Sequence, residues 1–149
     1  MYRRVSPKVK QDTPMHCYAA AFESWTRATI GYAGHTQSSI AASYDDNPPP
    51  SGGASEKSIL TLLSDFSMDF TDWRRESLTE SLIDSHLRNG LVVLIYKSSV
   101  LNSHTIVIYG VSHANGVAQI SFMDPWYGSY RWANVASFNG KPWLLAWEA

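Results

Sequence analysis

Gln11-Asp-Thr-Pro-Met-His-Cys17-Tyr-Ala-Ala-Ala-Phe-Glu-Ser-Trp25 holds the only cysteine of the 149 residues and places it where a loop gives way to a helix. From Cys17 onward the apolar residues Tyr18, Ala21, Phe22 and Trp25 recur at helical spacing, with short side chains between them. Pro14, just upstream, suits a turn and cannot continue a helix. Cys17 is therefore expected in the first turn of a buried helix that ends near Gly31. Unpaired N–H groups and the positive dipole end gather at that point, and both favour an anion there. Gln11, six residues earlier, can fold its side-chain amide back over the same place. A thiol nucleophile with a hydrogen-bond donor beside it is half of an acyl-transfer site. The competing reading is that a lone cysteine is simply a small apolar residue on the alanine-rich face of a core helix.

Working outward, residues 1 to 16 read as an irregular start to the chain. Residues 1–10, with Arg3, Arg4, Lys8 and Lys10, form a flexible, solvated arm. Thr36 to Tyr44 have the makings of a short helix. Asp45-Asp-Asn-Pro-Pro-Pro-Ser-Gly-Gly53 is a loop by every breaker signal, too short to link domains and placed to flank or cover a cleft. Ser55 caps a helix carrying Ile59, Leu60, Leu62, Leu63 and Phe66. Phe70 and Trp73 return the chain to the core. Ser77-Leu-Thr-Glu80 has the form of a capping box that opens another helix, and Asn89-Gly90 of its left-handed stop.

Strands follow. Leu91 to Lys97, His104 to Val111 and Val117 to Met123 are apolar runs rich in β-branched residues, and Tyr130–Trp132 and Trp143–Trp147 close the set. Helices first and antiparallel strands afterwards describe an α+β domain, and 149 residues suffice for one domain around a single core.

Asn115-Gly116 is a strong hairpin signal. With these as the two turn residues, paired positions sum to 231 and His104 lies opposite Tyr127. A bulge moves that register, and a sum of 228 sets His104 opposite Asp124. In either case the two fall on neighbouring strands, about 5–8 Å apart and within reach of a side-chain hydrogen bond. Pro125 marks the end of strand pairing directly after Asp124. A carboxylate so placed can hold an imidazole in one tautomer and stabilise its protonated form. A helix-start cysteine, a strand-start histidine and a strand-end aspartate make a nucleophile, base and orienter.

Four blocks carry a resemblance: Gln11 with Cys17-Tyr-Ala-Ala-Ala, Asn89-Gly-Leu-Val-Val, His104-Thr-Ile-Val-Ile-Tyr-Gly and Met123-Asp-Pro-Trp126. Together they resemble bacterial papain-like cysteine proteases, in the branch of bacteriocin-leader peptidases and secreted effector proteases, from Gln11 to about Trp132. The resemblance implies a papain-like α+β fold with N-terminal helices packed on an antiparallel sheet. It also implies one catalytic domain over residues 1–149, nearly bare of regulatory additions. In that family the cysteine matching Cys17 attacks the carbonyl and the histidine matching His104 is its base. The aspartate matching Asp124 orients the base, and the glutamine matching Gln11 completes the oxyanion hole. Many relatives have Trp or Gly after the cysteine; Tyr18 stands here and bears on subsite shape. Trp126 and Tyr127, beside Asp124, are assigned to substrate contact and to shielding the site from water.

The function this implies is a cysteine endopeptidase acting through a thioester, in the setting of a bacterial effector or toxin, with a protein or peptide substrate and possible inhibition by a cognate immunity protein. Glutamine deamidation by the same site, or an inactive binding module on the same fold, are the alternatives. No cofactor is implied. Twelve basic and thirteen acidic residues leave a net charge of −1, which gives no general affinity for nucleic acid. One cysteine excludes an intramolecular disulfide, and no His-Glu-x-x-His metal motif occurs. His16 is expected on the surface, because adjacent residues at a helix start point in different directions. No apolar run reaches membrane-spanning length and no signal-peptide core is present, so the expected location is the cytoplasm or export without a cleaved signal.

Overall fold

The computed structural model describes residues 1–29, 35–46, 52–97 and 103–149. Helix α1 (Cys17–Thr29) starts at the cysteine, as its spacing predicts; its expected end near Gly31 lies outside the described residues. Ala19, Ala20, Ala21 and Phe22 are all fully buried. The small volume of the three alanines lets the helix lie close against the sheet. Helix α2 (Gln37–Tyr44) is opened by a Thr36–Ser39 capping box, and α3 (Glu56–Asp65) is capped at its start by Ser55. Helix α4 (Glu80–Leu87) corrects one sequence reading: its cap is Thr79, whose side chain accepts from Leu82 N–H, and not Ser77. The Asn89-Gly90 stop is corrected too, since neither residue has a positive φ; the Arg88 and Asn89 N–H groups close the helix on Asp84 and His86.

The strands are β1 (Met68–Phe70), β2 (Val92–Lys97), β3 (Ser103–Ala114), β4 (Val117–Asp124), β5 (Ser129–Asn134) and β6 (Trp143–Glu148). They form one antiparallel sheet in the order β1-β6-β2-β3-β4-β5. Strand β2 explains its own unbroken apolar run. Val93 and Ile95 face the core under α1 and α3, while Val92 and Leu94 face the core under α4. A strand covered on both faces has no polar side to show. Three-residue β1 left no periodic signal of its own.

Asn115 and Gly116 both have positive φ, 52° and 78°, as a two-residue hairpin requires. Pairs near the turn follow the sum of 231, from Ala114↔Val117 to Gly110↔Ser121. A bulge at Tyr109 then shifts the register by one, giving Ile108↔Phe122 and Val107↔Met123. Residues 1–10, expected as a flexible arm, run beside this bulge. Tyr2 bridges to Gly110, Arg3 N–H donates to the Tyr109 carbonyl, and Ser6 and Val9 are buried.

Candidate active site

Three elements converge: the start of α1, the start of β3 and the end of β4. His16 carbonyl accepts the Ala20 N–H, so Cys17 occupies the first helical position with its N–H outside the helical ladder. Cys17 is buried, and its Sγ lies 3.8 Å from the Ser103 carbonyl at the start of β3. His104 follows on that strand, and its Nε2 meets Asp124 Oδ1 at 2.8 Å. The alternation of β3 and β4 puts both side chains on the face shared with Ile106, Ile108 and Phe122. Tyr96, opposite His104 on β2, meets the imidazole edge to face at 5.8 Å between ring centres.

The charges around His104 decide its chemistry. Burial works against the imidazolium, yet hydrogen bonds with Asp124 and Cys17, and their charges, push its pKa up to about 9. Burial likewise opposes the Asp124 carboxylate. His104, the Trp126 N–H at 3.0 Å and the Arg131 guanidinium outweigh it and hold the pKa below the usual carboxylate value. Arg131 reaches Asp124 Oδ2 at 3.4 Å while stacking over Tyr127 at 4.5 Å. Tyr96 is pushed up to about 12, first by burial and then by the charges of Asp124 and Cys17, and remains a neutral phenol.

Gln11 is buried, with its backbone N–H on the Pro125 carbonyl (2.9 Å) and its Nε2 on the Thr13 carbonyl (2.9 Å). The first bond ties it to the turn that follows Asp124. Its Oε1 has no hydrogen-bond partner among the described residues, and Nε2 keeps a second hydrogen to donate. Cys17 also lines a cleft of about 280 Å³, floored by Ile59, Ile95 and Thr105 and edged by Trp73. Asp46, Gly52 and Gly53, the described ends of the loop expected beside a cleft, form part of its wall.

Trp126 and Tyr127 sit in the β4–β5 turn, about half exposed, and neither lines this cleft. His16 is a correction. It is buried, with Nδ1 on Asp12 at 2.6 Å and Nε2 on Asp45 at 2.7 Å. Asp45 lies 29 residues away, beyond any local signal. Arg131 was missed as well, although the β4–β5 register, with Asp124↔Ser129 and Phe122↔Arg131, places it two positions along the same face.

The sequence profile of the papain-like cysteine protease AvrRpt2 family matches residues 3–142. The chain belongs to that family. It is a papain-like cysteine protease. The peptidase domain of Streptococcus ComA, a bi-functional ABC transporter involved in a quorum sensing pathway, has the same fold. The two superpose with a TM-score of 0.64 at 14% identity, over 94% of this chain and 97% of that one. No curated protein sequence matches. Among the described residues, no helix is long and apolar enough to cross a membrane.

Proposed function

We propose that the chain is an endopeptidase in which Cys17 is the nucleophile, His104 its base and then acid, Asp124 the orienter and Gln11 an oxyanion donor. The observation that carries this is His104, held at Nε2 by Asp124 while it interacts with Cys17 at the start of a helix. In this reading His104 takes the Cys17 proton and the sulfur attacks the substrate carbonyl carbon. The carbonyl oxygen gains the negative charge and is met by the Cys17 N–H and the Gln11 side chain. The tetrahedral species collapses, the C–N bond breaks, and His104 gives its proton to the departing amine. A thioester remains. Water adds to it with His104 as base, the C–S bond breaks to release the acid, and His104 returns its proton to the Cys17 sulfur.

Asp124 makes this sequence possible by favouring imidazolium during both transfers, with Arg131 and the Trp126 N–H keeping the carboxylate ionised. The open cleft beside Cys17 fits a peptide chain as substrate, and an effector protease acting on a foreign protein is the setting we infer from the family. The test is incubation with a cell proteome and profiling of new N-termini, with Cys17→Ala as control. New ends that depend on Cys17 support peptide hydrolysis. A Cys17-dependent gain of about one dalton on glutamine side chains, with no new ends, replaces it by deamidation.

A further inference from the structure

Outside the catalytic set, a second buried polar cluster grips the same helix start. Asp45 accepts from His16 Nε2 through one oxygen and from the Tyr18 hydroxyl through the other. Those partners are the residues on either side of Cys17. The side chains of His16 and Asp45 are only 11% and 12% exposed, so these are desolvated, charge-assisted bonds. Burial alone would lower the His16 pKa; its bonds to Asp45 and Asp12 prevail and raise it. Asp45 caps α2, and the next N–H, that of Asp46, donates to the Gly53 carbonyl and draws the two described ends of the loop together. Gly53, at φ +88°, rests against Met15, where a Cβ would come within 2.9 Å of Cε. Met15, Tyr18, Asp46, Gly52 and Gly53 all line the cleft that contains Cys17.

We infer that Asp45 is a specificity-determining residue: by holding His16 and Tyr18 on both sides of Cys17, it fixes the wall formed by Asp46, Gly52 and Gly53 against the start of α1 and sets the width of the substrate cleft. Asp45 acts on substrate through this wall and touches no reacting atom, so it is a positioning residue. The inference rests on Cys17 being the nucleophile of that cleft. It separates the two things a cysteine protease must do, because the wall governs how peptide binds while His104 and Asp124 govern the reactivity of the thiol.

Two alkylating probes read these separately: iodoacetamide, which needs no cleft contact, and benzyloxycarbonyl-Leu-Ala chloromethyl ketone, which does. In Asp45→Asn the half-saturating concentration of the ketone should rise about tenfold, the size of one lost charge-assisted hydrogen bond. Its limiting rate, and the iodoacetamide rate at Cys17, should stay within about twofold of wild type. An unchanged half-saturating concentration overturns the inference, and so does a parallel slowing of both probes, which would assign the cluster to the thiol or to the fold at large. Should Asp45→Asn fail to fold, Tyr18→Phe removes a single hydroxyl and should raise the same concentration about threefold; no rise overturns the inference. A wild-type Cys17 that reacts with neither probe faster than in the urea-unfolded chain removes the underlying reading of the site, and this inference with it.

Discussion

Two histidines lie beside Cys17, and their difference supports the proposal that His104 and not His16 is the base. His16 is its neighbour in sequence, and His104 arrives from across the fold. Both are largely buried, with side chains 11% and 17% exposed, and both meet carboxylates at hydrogen-bond distance. Burial and proximity do not separate them. The second ring nitrogen does. In His16 both nitrogens face carboxylates, at 2.6 Å and 2.7 Å, and a carboxylate only accepts. Both nitrogens are therefore occupied by acceptors, which favours the protonated form and leaves neither of them for Cys17. In His104 one nitrogen, Nε2, meets a carboxylate, that of Asp124, and the imidazole also bonds with Cys17. In the proposed reading, one carboxylate leaves the second nitrogen of His104 for the thiol, whereas two carboxylates occupy both nitrogens of His16.

Exchanging the two losses gives the largest effect. His104→Ala should lower kcat/KM by on the order of a thousandfold or more, because the proton acceptor and donor disappears together. His16→Gln should keep kcat within a few-fold and act mainly on KM through the Asp45 wall. Steady-state kinetics on one peptide substrate measures both. Similar losses of kcat in the two variants would break the distinction between the proposed base and a structural histidine.

Gln11 sharpens it next. Its N–H is bonded to the Pro125 carbonyl, so it belongs mechanically to the His104–Asp124 side of the site. Gln11→Ala should reduce kcat by on the order of a hundredfold with KM nearly unchanged, since an oxyanion exists only beyond the ground state. A change confined to KM would move Gln11 to the cleft wall, alongside His16 and Asp45.

The same contrast marks how far the sequence could be read. Cys17 at a helix start, the Asn115-Gly116 turn and the apolar runs of β2, β3 and β4 rest on local rules, and the structure contains each of them. The adjacency of His104 and Asp124 followed from those rules and survived a one-residue bulge, because neighbouring strands keep such side chains within reach. What escaped depends on distant partners. The burial of His16 requires Asp45, the docking of residues 1–10 requires the part of β3 at Tyr109 and Gly110 that extends beyond its pairing with β2, and the Asp124 environment includes Arg131 from the next strand. The α4 cap was misplaced because Ser77 and Thr79 offer the same hydroxyl chemistry two residues apart. Only the observed helix start distinguishes them.

A smaller effect tests the carboxylate itself. Asp124→Asn keeps an oxygen that can accept from Nε2 but removes the charge that favours imidazolium. The alkaline limb of kcat/KM, expected near the His104 pKa of about 9, should then fall by on the order of one unit. Activity at neutral pH should drop by on the order of tenfold, less than for Asp124→Ala. An unmoved limb would mean that Asp124 positions the ring without tuning it.

The smallest effect is on stability, and its sign follows from proton linkage. The folded His104 pKa of about 9 lies above the ordinary value of about 6.5, so the folded chain binds this proton more tightly than the unfolded chain. The stabilisation is fully present below about pH 6.5 and is lost as pH rises through about 9. His16 is also raised, by Asp45 and Asp12 against the effect of burial, and contributes in the same direction. Thermal unfolding of wild type should therefore drop by a few degrees between neutral pH and about pH 10. His104→Gln should lose less over that interval, because one of the two linked protons is gone. Asp45→Asn should also lose less, since it weakens the hold on the His16 proton, but it should leave the alkaline limb of activity in place. If Asp45→Asn moved that limb and His104→Gln left the unfolding profile unchanged, the roles given to the two histidines would have to be exchanged.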